Sequence, residues 1–584
     1  MLGRSALLAA SNSGEPPGFG AKYADPSIRP TSNSFGVRFS TKGDAIAVTH
    51  AGSPGVSVYP WSYDSGFGIK YANPATSLPN IAWCVDFHPN DDAIAIGGEM
   101  VSPLSPRVYA WSVTGFGSRY ANATGMGDYQ YDLAFSPSGT RIGVGEGAVY
   151  PWSRSSGFGT KYATPGSFLG QDRHVAFSPS EKAVVFGRFI SFSGNFPPVG
   201  STLLEAYALT SSGFGARYSN PSDLGVPTAN GGIDCAGVTF HPQGNVVFLC
   251  IGAAQPRILA YQWSDISGFG PKYSNPALAS NYGSGITVSP SGKYFAVVGT
   301  GNSSGTVGPL SVYEWSYTSG FGSRVYSPPV FYSPGASNTA TGVDFSPQNN
   351  AVAISLYHGD TLSDTNSHVY AYKWNDPDPG DIYMRRVALL ARFDGSAVDI
   401  SQNAIALTLQ GSASISSQSK FGSGSLSCFA NSGAFSSLSD MLRLGKNFTV
   451  ECWVNPTSGF ENNGLFTFGT DSGWSGLSCA IAGGQWMVSD TGSGGTFCGA
   501  ASAGWQHLVL QRLDGVIRLF VNGVYRNGFA NTTDLSGSNR IGIGFYYSLR
   551  YPLLGLVGEF RVTNFVARYP IEGFTPPAAQ FPYG

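Results

Sequence analysis

Short apolar runs, broken by Gly, Pro, Ser and Asn, fill the first 375 residues and recur in one order. Cys84-Val85-Asp86-Phe87 leads into a turn at His88-Pro89, then into the alternating run Ala93-Ile94-Ala95-Ile96. An aromatic run, Val108-Tyr109-Ala110-Trp111, and the fragment Gly115-Phe116-Gly117-Ser118-Arg119-Tyr120 follow. Runs this short, bounded by turn residues and rich in β-branched and aromatic side chains, predict strands and not helices. The Gly-Phe-Gly fragment begins at Gly18, Gly66, Gly115, Gly157, Gly213, Gly268 and Gly320, at spacings of 48, 49, 42, 56, 55 and 52 residues.

A period near 50 with four strand-like pieces per repeat predicts a radial β-repeat, a seven-bladed β-propeller over 18–375. The other two markers also occur seven times. One is the Tyr/Trp run, degenerate at Ala206-Tyr207-Ala208-Leu209. The other is the Phe-Ser/His-Pro turn, imperfect at Phe39-Ser40-Thr41 and Val288-Ser289-Pro290. Pro early in such a turn, with Gly or polar residues after it, suits a tight strand connection. The last Tyr/Trp run ends at Trp374 with no Gly-Phe-Gly after it, while Gly18-Phe19-Gly20-Ala21-Lys22-Tyr23 precedes every other marker. An unpaired sheet edge is a liability that closure removes. Residues 18–24 are therefore expected to supply the outer strand of the last blade. The order of markers resembles WD-type and related propellers, without their Trp-Asp dipeptide or Gly-His start.

Asn375-Asp376-Pro377-Asp378-Pro379-Gly380-Asp381 breaks the pattern, and 376–384 reads as a linker. Beyond it the chain turns Ser/Gly-rich. Val387-Ala388-Leu389-Leu390-Ala391-Arg392-Phe393-Asp394-Gly395, Phe448-Thr449-Val450-Glu451-Cys452-Trp453-Val454, Trp505-Gln506-His507-Leu508-Val509, Leu519-Phe520-Val521-Asn522-Gly523 and Gly558-Glu559-Phe560-Arg561-Val562 follow in order. Over 385–584 this series resembles the laminin-G-like or concanavalin-A-like jelly rolls, which implies a β-sandwich. Alternation in Phe448–Val454 buries Phe448, Val450, Cys452 and Val454 or their opposites, and Asn522-Gly523 is a hairpin turn. The end, Phe560-Arg561-Val562-Thr563 through Ala567-Arg568-Tyr569 to Phe574-Thr575-Pro576-Pro577, resembles the copies on bacteriophage tail and other virion proteins. The overall expectation is all-β, a seven-bladed propeller followed by a concanavalin-A-like sandwich.

Composition narrows the function. Charged residues make up 12% of the chain, about half the usual quarter, and the net charge is −2. That leaves no electrostatic case for nucleic acid. No run reaches the length of a membrane span. Residues 1–17 suit a contact arm better than a signal peptide, having one cation and a short apolar run. The seven cysteines form no C-x-x-C and sit in apolar runs, as small buried thiols do; Cys235 and Cys250 flank one hairpin.

Candidate chemistry is sparse. Lys22, Lys70, Arg119, Lys161, Arg217, Lys272 and Arg324 occupy one repeat position and predict a rim ring of cations. They either bind a polyanion or protect strand edges, and protection is the commoner use of such cations. His88 and His241 stand where other copies have Ser, which favours a hydrogen-bonding turn role over metal. Asp394, Asp399, Asp471, Asp490 and Asp514 could place Ca²⁺ at a sandwich rim, though scattered loop Asp residues are usually turn formers; no other cofactor is expected.

For a glycan, the sandwich loops offer Trp474, Trp486, Tyr546, Tyr547 and Tyr551, with Trp486 the best core candidate among them. Jelly-roll glucanases carry an E-x-D-x-x-E strand and sialidase-like propellers S-x-D-x-G-x-T-W boxes; neither occurs. There is no H-E-x-x-H, G-x-S-x-G or P-loop. Glu451 and Glu559 fall in strand motifs and read as structural.

The expected role is therefore a non-enzymatic structural or adhesive part of a bacteriophage virion: tail fibre, baseplate or capsid decoration. It would be exposed on the particle in several copies, contacting other virion proteins and possible host-surface glycans. A secreted carbohydrate-active enzyme with a lectin-like module and a cellular propeller scaffold are the rivals. Paired carboxylates at the propeller's centre would favour the first.

Overall fold

In the computed structural model the described residues are 18–582, apart from 77, 79–80, 100–105, 127–129, 166–171, 191–201, 223, 225–232, 253–257, 277–281, 301–308, 326–338, 358–367, 377–380, 382, 430, 458–460, 471–472, 475, 491–494 and 547–550. The expected contact arm 1–17, and much of the expected linker, lie outside them. The chain divides into two compact units, with the change at Arg385–Arg386.

The first unit is all antiparallel strand. Three of its sheets have four strands, and two have eight, each a pair of four-stranded groups joined at a strand tip by Phe189↔Asp234 or Thr300↔Thr339. The seven groups so formed are compatible with propeller blades. In the last group the strand Gly18–Lys22 pairs with Val369–Asn375, setting Gly18 opposite Asn375 and Phe19 opposite Trp374.

Packing explains the repeated residues. Each group meets the next through its own hydrophobic cluster. One cluster combines Ala45, Ala47, Val56 and Val58 of the first group with Val85, Phe87, Ile94 and Ile96 of the second. Another takes Ala351, Ala353, Val369 and Ala371 of the seventh group and sets them against Val37, Phe39, Ile46 and Val48 of the first. Small residues on one side face large ones on the other, so sheet faces approach closely without voids.

The Gly-Phe-Gly fragment is a clamp between neighbours. Its Phe packs edge-on against the Tyr and Trp of its own group, as Phe67 does on Tyr59 at 5.5 Å and Trp61 at 5.1 Å. The Tyr three residues after the second Gly reaches the next group. Tyr23 lies 4.8 Å from Trp61, Tyr71 5.2 Å from Trp111 and Tyr218 5.1 Å from Trp263. The hydroxyl of Tyr23 donates to the carbonyl of Tyr63, and that of Tyr273 to Tyr317, both at 2.8 Å. The first Gly has φ of +73° at Gly66, where a Cβ would stand 2.8 Å from the Tyr23 ring, so both conformation and space demand glycine. The last fragment has Val325 in the Tyr position, and it meets Gly18.

The Phe-Ser-Pro marker is a capped turn. The Oγ of Ser136, Ser178, Ser289 and Ser346 each accepts the N–H of the residue five positions on, at 2.9–3.1 Å. In the His copies the ring spans two groups. His241 Nδ1 accepts from the N–H of Gln243 at 3.2 Å, and Nε2 donates to the carbonyl of Gly292 at 3.0 Å. Burial lowers the His241 pKa to about 4. Because the unfolded chain takes up its proton first, near pH 6.5, this group's contribution is complete above about 6.5 and declines as pH falls to about 4. Replacing His241 with Ser is expected to reduce the acid sensitivity of the first unit in that window, read as melting temperature against pH; an unchanged slope would contradict it.

The second unit is a sandwich. One sheet runs Ser414–Ser416, Ser425–Cys428, Gly555–Asn564, Phe448–Pro456, Gln506–Leu513, Val516–Val521 and Val524–Ala530, with Val387–Ala391 also paired to Gly555–Asn564. The other runs Leu407–Gln410, Gly433–Ser436, Arg540–Ile543, Asn462–Gly469, Ser478–Ala482, Gln485–Ser489 and Thr496–Ala500. Phe448, Val450, Cys452 and Val454 face the core, against Phe466, Phe468, Cys479 and Trp486. Their alternates Thr449, Glu451 and Trp453 are buried as well. The segment after Asn564 lies over that outer face, where Phe574 stacks on Tyr569 at 3.9 Å and Phe581 donates its N–H to Glu559. All seven cysteines are free and buried.

Candidate functional site

The outer face of the sheet opposite the covered one carries the aromatic candidates. Pairing sets Thr467, Gly542, Ser478 and Ser489 in one row across four strands, and Phe435 opposite Gly542. The adjacent row, Phe466, Ile543, Cys479 and Val488, is in the core, so the hydroxyl row points outward.

Two glycines let large side chains lie flat on this face. A Cβ at Gly469 would stand 2.8 Å from Trp474 and 3.1 Å from Arg540 Nε, and one at Gly542 would overlap the Phe545 ring. Trp474 is half-buried, 5.0 Å from Phe435 and 5.4 Å from Phe545, with the Arg540 guanidinium 4.2 Å from its ring centre. On the other side Tyr546 is half-buried, its hydroxyl 3.4 Å from Ser489 Oγ and its ring 6.4 Å from that of Tyr551, which is 49% exposed. Thr467 Oγ1 donates to the Phe545 carbonyl, and Ser478 Oγ to that of Gly476. Thr467, Ser478 and Ser489 are themselves buried, so what this face offers a sugar is the rings, on which its C–H face can pack.

Of the aromatic candidates, then, Trp474, Tyr546 and Tyr551 belong to this face, and Tyr547 lies outside the described residues. Trp486 is corrected: it is 0% exposed and fills the core, because its position in Gln485–Ser489 points inward. Phe435, Phe545 and Arg540 were not singled out from sequence. The only signal for them was glycine inside strands, which marks the close approach of another group.

The cations share a repeat position, as expected, and several are held locally. Lys22, Arg119, Arg217, Lys272 and Arg324 stand opposite Tyr372, Tyr109, Tyr207, Tyr261 and Tyr313. Lys22 pairs with Asp25 at 2.7 Å, Arg217 with Glu205 at 3.6 Å, and Lys161 donates to the Gly125 carbonyl at 3.0 Å. Lys70 and Arg119 donate to Asn73 and Asn122. These ties suit fixing the outer strand better than presenting charge.

The aspartates proposed for Ca²⁺ do not converge. Asp399 is buried and accepts from Leu390, Ser401 and Ile405 N–H groups; Asp394 accepts from Ser423 and Gln580; Asp490 accepts from Asn531; Asp471 is outside the described residues. Among the described residues no group of three or more His, Cys, Asp or Glu could hold a metal ion.

Charge does gather at the first strands of neighbouring groups in the first unit. Arg38 lies 3.5 Å from Asp344, and both Asp344 and Asp86 act on its charge. Burial pushes the Asp86 carboxyl up to about 6 against the pull of Arg38. Each aspartate also accepts a backbone N–H from the neighbouring group, Asp344 from Phe39 and Asp86 from Phe135.

Residues 430–568 match the Laminin_G_3 family of the concanavalin A-like lectin/glucanase superfamily. The protein is thus all-β with a concanavalin A-like domain in its C-terminal part. No curated protein matches the chain. No helix among the described residues is long and apolar enough to cross a membrane.

Proposed function

We propose that the protein is a non-enzymatic adhesive and structural component in which residues 18–375 form a seven-bladed propeller, closed by the strand Gly18–Lys22, and the sandwich presents a glycan- or partner-binding face. The observation that carries the binding role is the set of half-buried rings of Trp474, Phe435 and Tyr546 on the outer face of one sheet. The propeller reading draws on seven four-stranded groups whose hydrophobic clusters run from the seventh back to the first. A rigid scaffold with recognition on an irregular appended surface is a common division of labour. The setting, several copies on a bacteriophage virion as tail fibre, baseplate or capsid decoration, rests on the sequence resemblance of residues 560–577. It implies assembly in the host cytoplasm and contact with other virion proteins.

The test presents fragments 1–385 and 386–584 separately to host cells and to particles lacking the protein. The sandwich, which has its own core, is expected to bind cells and the propeller to restore attachment. Exchange of these outcomes reverses the assignment, and a sandwich that binds neither is a spacer.

The enzyme alternative has one observation in its favour, the aspartates that flank Arg38. Their backbone hydrogen bonds across groups account for them structurally. Purified protein is expected to release no reducing sugar from a polysaccharide panel; turnover abolished by Asp86→Asn would promote the enzyme reading.

A further inference from the structure

Arginines of the sandwich that are buried or half-buried have partners. Arg392, Arg443, Arg561 and Arg568 face carboxylates, and Arg512 and Arg518 donate to carbonyls. Arg540 is the exception. It is half-buried, its Nε is buried without an acceptor, and among the described residues it faces no carboxylate. What holds it is the Trp474 ring at 4.2 Å. A cation–π contact of this kind leaves the guanidinium's hydrogen-bonding fork free, which a charge-assisted pair would use. Among the described residues the guanidinium therefore stands in the aromatic face with its Nε–H unpaired.

A neutral sugar would need only the aromatic plates. The arginine adds a planar fork of donors, whose match is a carboxylate taken in bidentate fashion. Building on the glycan-binding reading of this face, we propose that it selects acidic sugars, with Arg540 pairing the carboxylate while Trp474 and Phe435 take the ring. Gly469 serves the same end, since any side chain there would push Trp474 and Arg540 off the sheet.

The experiment uses the full chain and its Arg540→Gln and Arg540→Lys variants, with melting temperatures checked. The probes are polygalacturonate, alginate, hyaluronan and a sialylated glycoprotein, each beside a form whose carboxylates are methyl-esterified or whose sialic acid has been removed. At least one acidic probe is expected to bind, at least tenfold more tightly than its neutralised form. Arg540→Gln should abolish that preference, and Arg540→Lys should restore it only in part. Equal binding to acidic and neutral forms, indifferent to Arg540→Gln, would overturn the acidic selectivity and leave the glycan reading intact. Binding to none of the probes in either form would overturn both. An acidic preference that survives Arg540→Gln would place the charge recognition elsewhere and overturn the role of Arg540.

Discussion

Removing residues 1–24 is expected to lower the melting temperature of the first unit by roughly 5–10 °C. The deletion takes away the outer strand of the seventh group and the clamp into the first. Phe19 packs edge-on against Tyr372 at 5.9 Å and Trp374 at 5.3 Å, and Tyr23 is buried against Trp61. Losing a buried aromatic costs about 3–5 kcal/mol, so the two together cost on the order of 5 kcal/mol or more, before counting the strand pairing. Each kcal/mol moves the transition of a 150–250-residue domain by about 2–4 °C and that of a unit this large by less, because the unfolding entropy grows with length. Tyr23→Ala alone should produce a large part of the loss. Lys22→Gln should produce almost none, because a solvent-facing pair such as Lys22–Asp25 is worth about 0–1 kcal/mol. Near-ultraviolet circular dichroism on heating reads the result through Trp61 and Trp374. An unchanged transition in the deletion would mean that the ring is held together elsewhere.

Glu451→Gln is expected to destabilise the sandwich by about 3–5 kcal/mol, the usual cost of stranding a buried charge. The Glu451 carboxylate is fully buried and accepts from Arg561 Nε at 2.9 Å, His507 Nε2 at 3.2 Å and the Tyr569 hydroxyl at 2.6 Å, with Arg568 3.7 Å away. Burial opposes its ionisation, but Arg561, His507 and Arg568 together outweigh burial and hold the carboxyl well below the usual range. A depressed carboxyl contributes stability above its unfolded pKa, near 4.5, and loses it as pH falls. Glu559 runs the other way. Burial pushes it up to about 7, against the Phe581 N–H and Arg392. Its share is therefore largest at low pH and declines as pH rises from about 4.5 to 7. The sandwich transition should accordingly peak near pH 4.5–5, and Glu559→Gln should flatten the limb toward pH 7. A profile still rising through pH 7 in the wild type would contradict this arrangement.

Much of the architecture was legible in residue order. Each Gly-Phe-Gly fragment serves local turn geometry and a contact with the neighbouring repeat, so it had to recur wherever four strands recurred. The orphan fragment at Gly18 showed that the last set of strands lacked an outer member, and the pairing of Gly18–Lys22 with Val369–Asn375 supplies it. The Ser and His alternatives at the turn were legible for the same reason, since a hydrogen bond to a nearby N–H is a short-range requirement. In the sandwich, alternation marked two faces of Phe448–Val454 without saying which was inner. Both are buried, because the chain beyond Asn564 returns over the outer one, and strand period carries no record of a distant covering segment.

The aromatic face was the least legible part. Trp474 and Tyr546 could be named as loop aromatics, but Trp486 could not be separated from them by type; only its strand's inward register places it in the core. Phe435 lies more than a hundred residues before Arg540 and Phe545, and they meet because Gly469 and Gly542 leave a floor on which rings can lie. By itself the sequence determined strands, repeat number, the missing outer strand and the kind of sandwich, all of which depend on short-range periodicity and turn chemistry. Only the tertiary structure decided which face of each strand is covered and which side chains share a surface, because those depend on contacts between segments that no local pattern encodes.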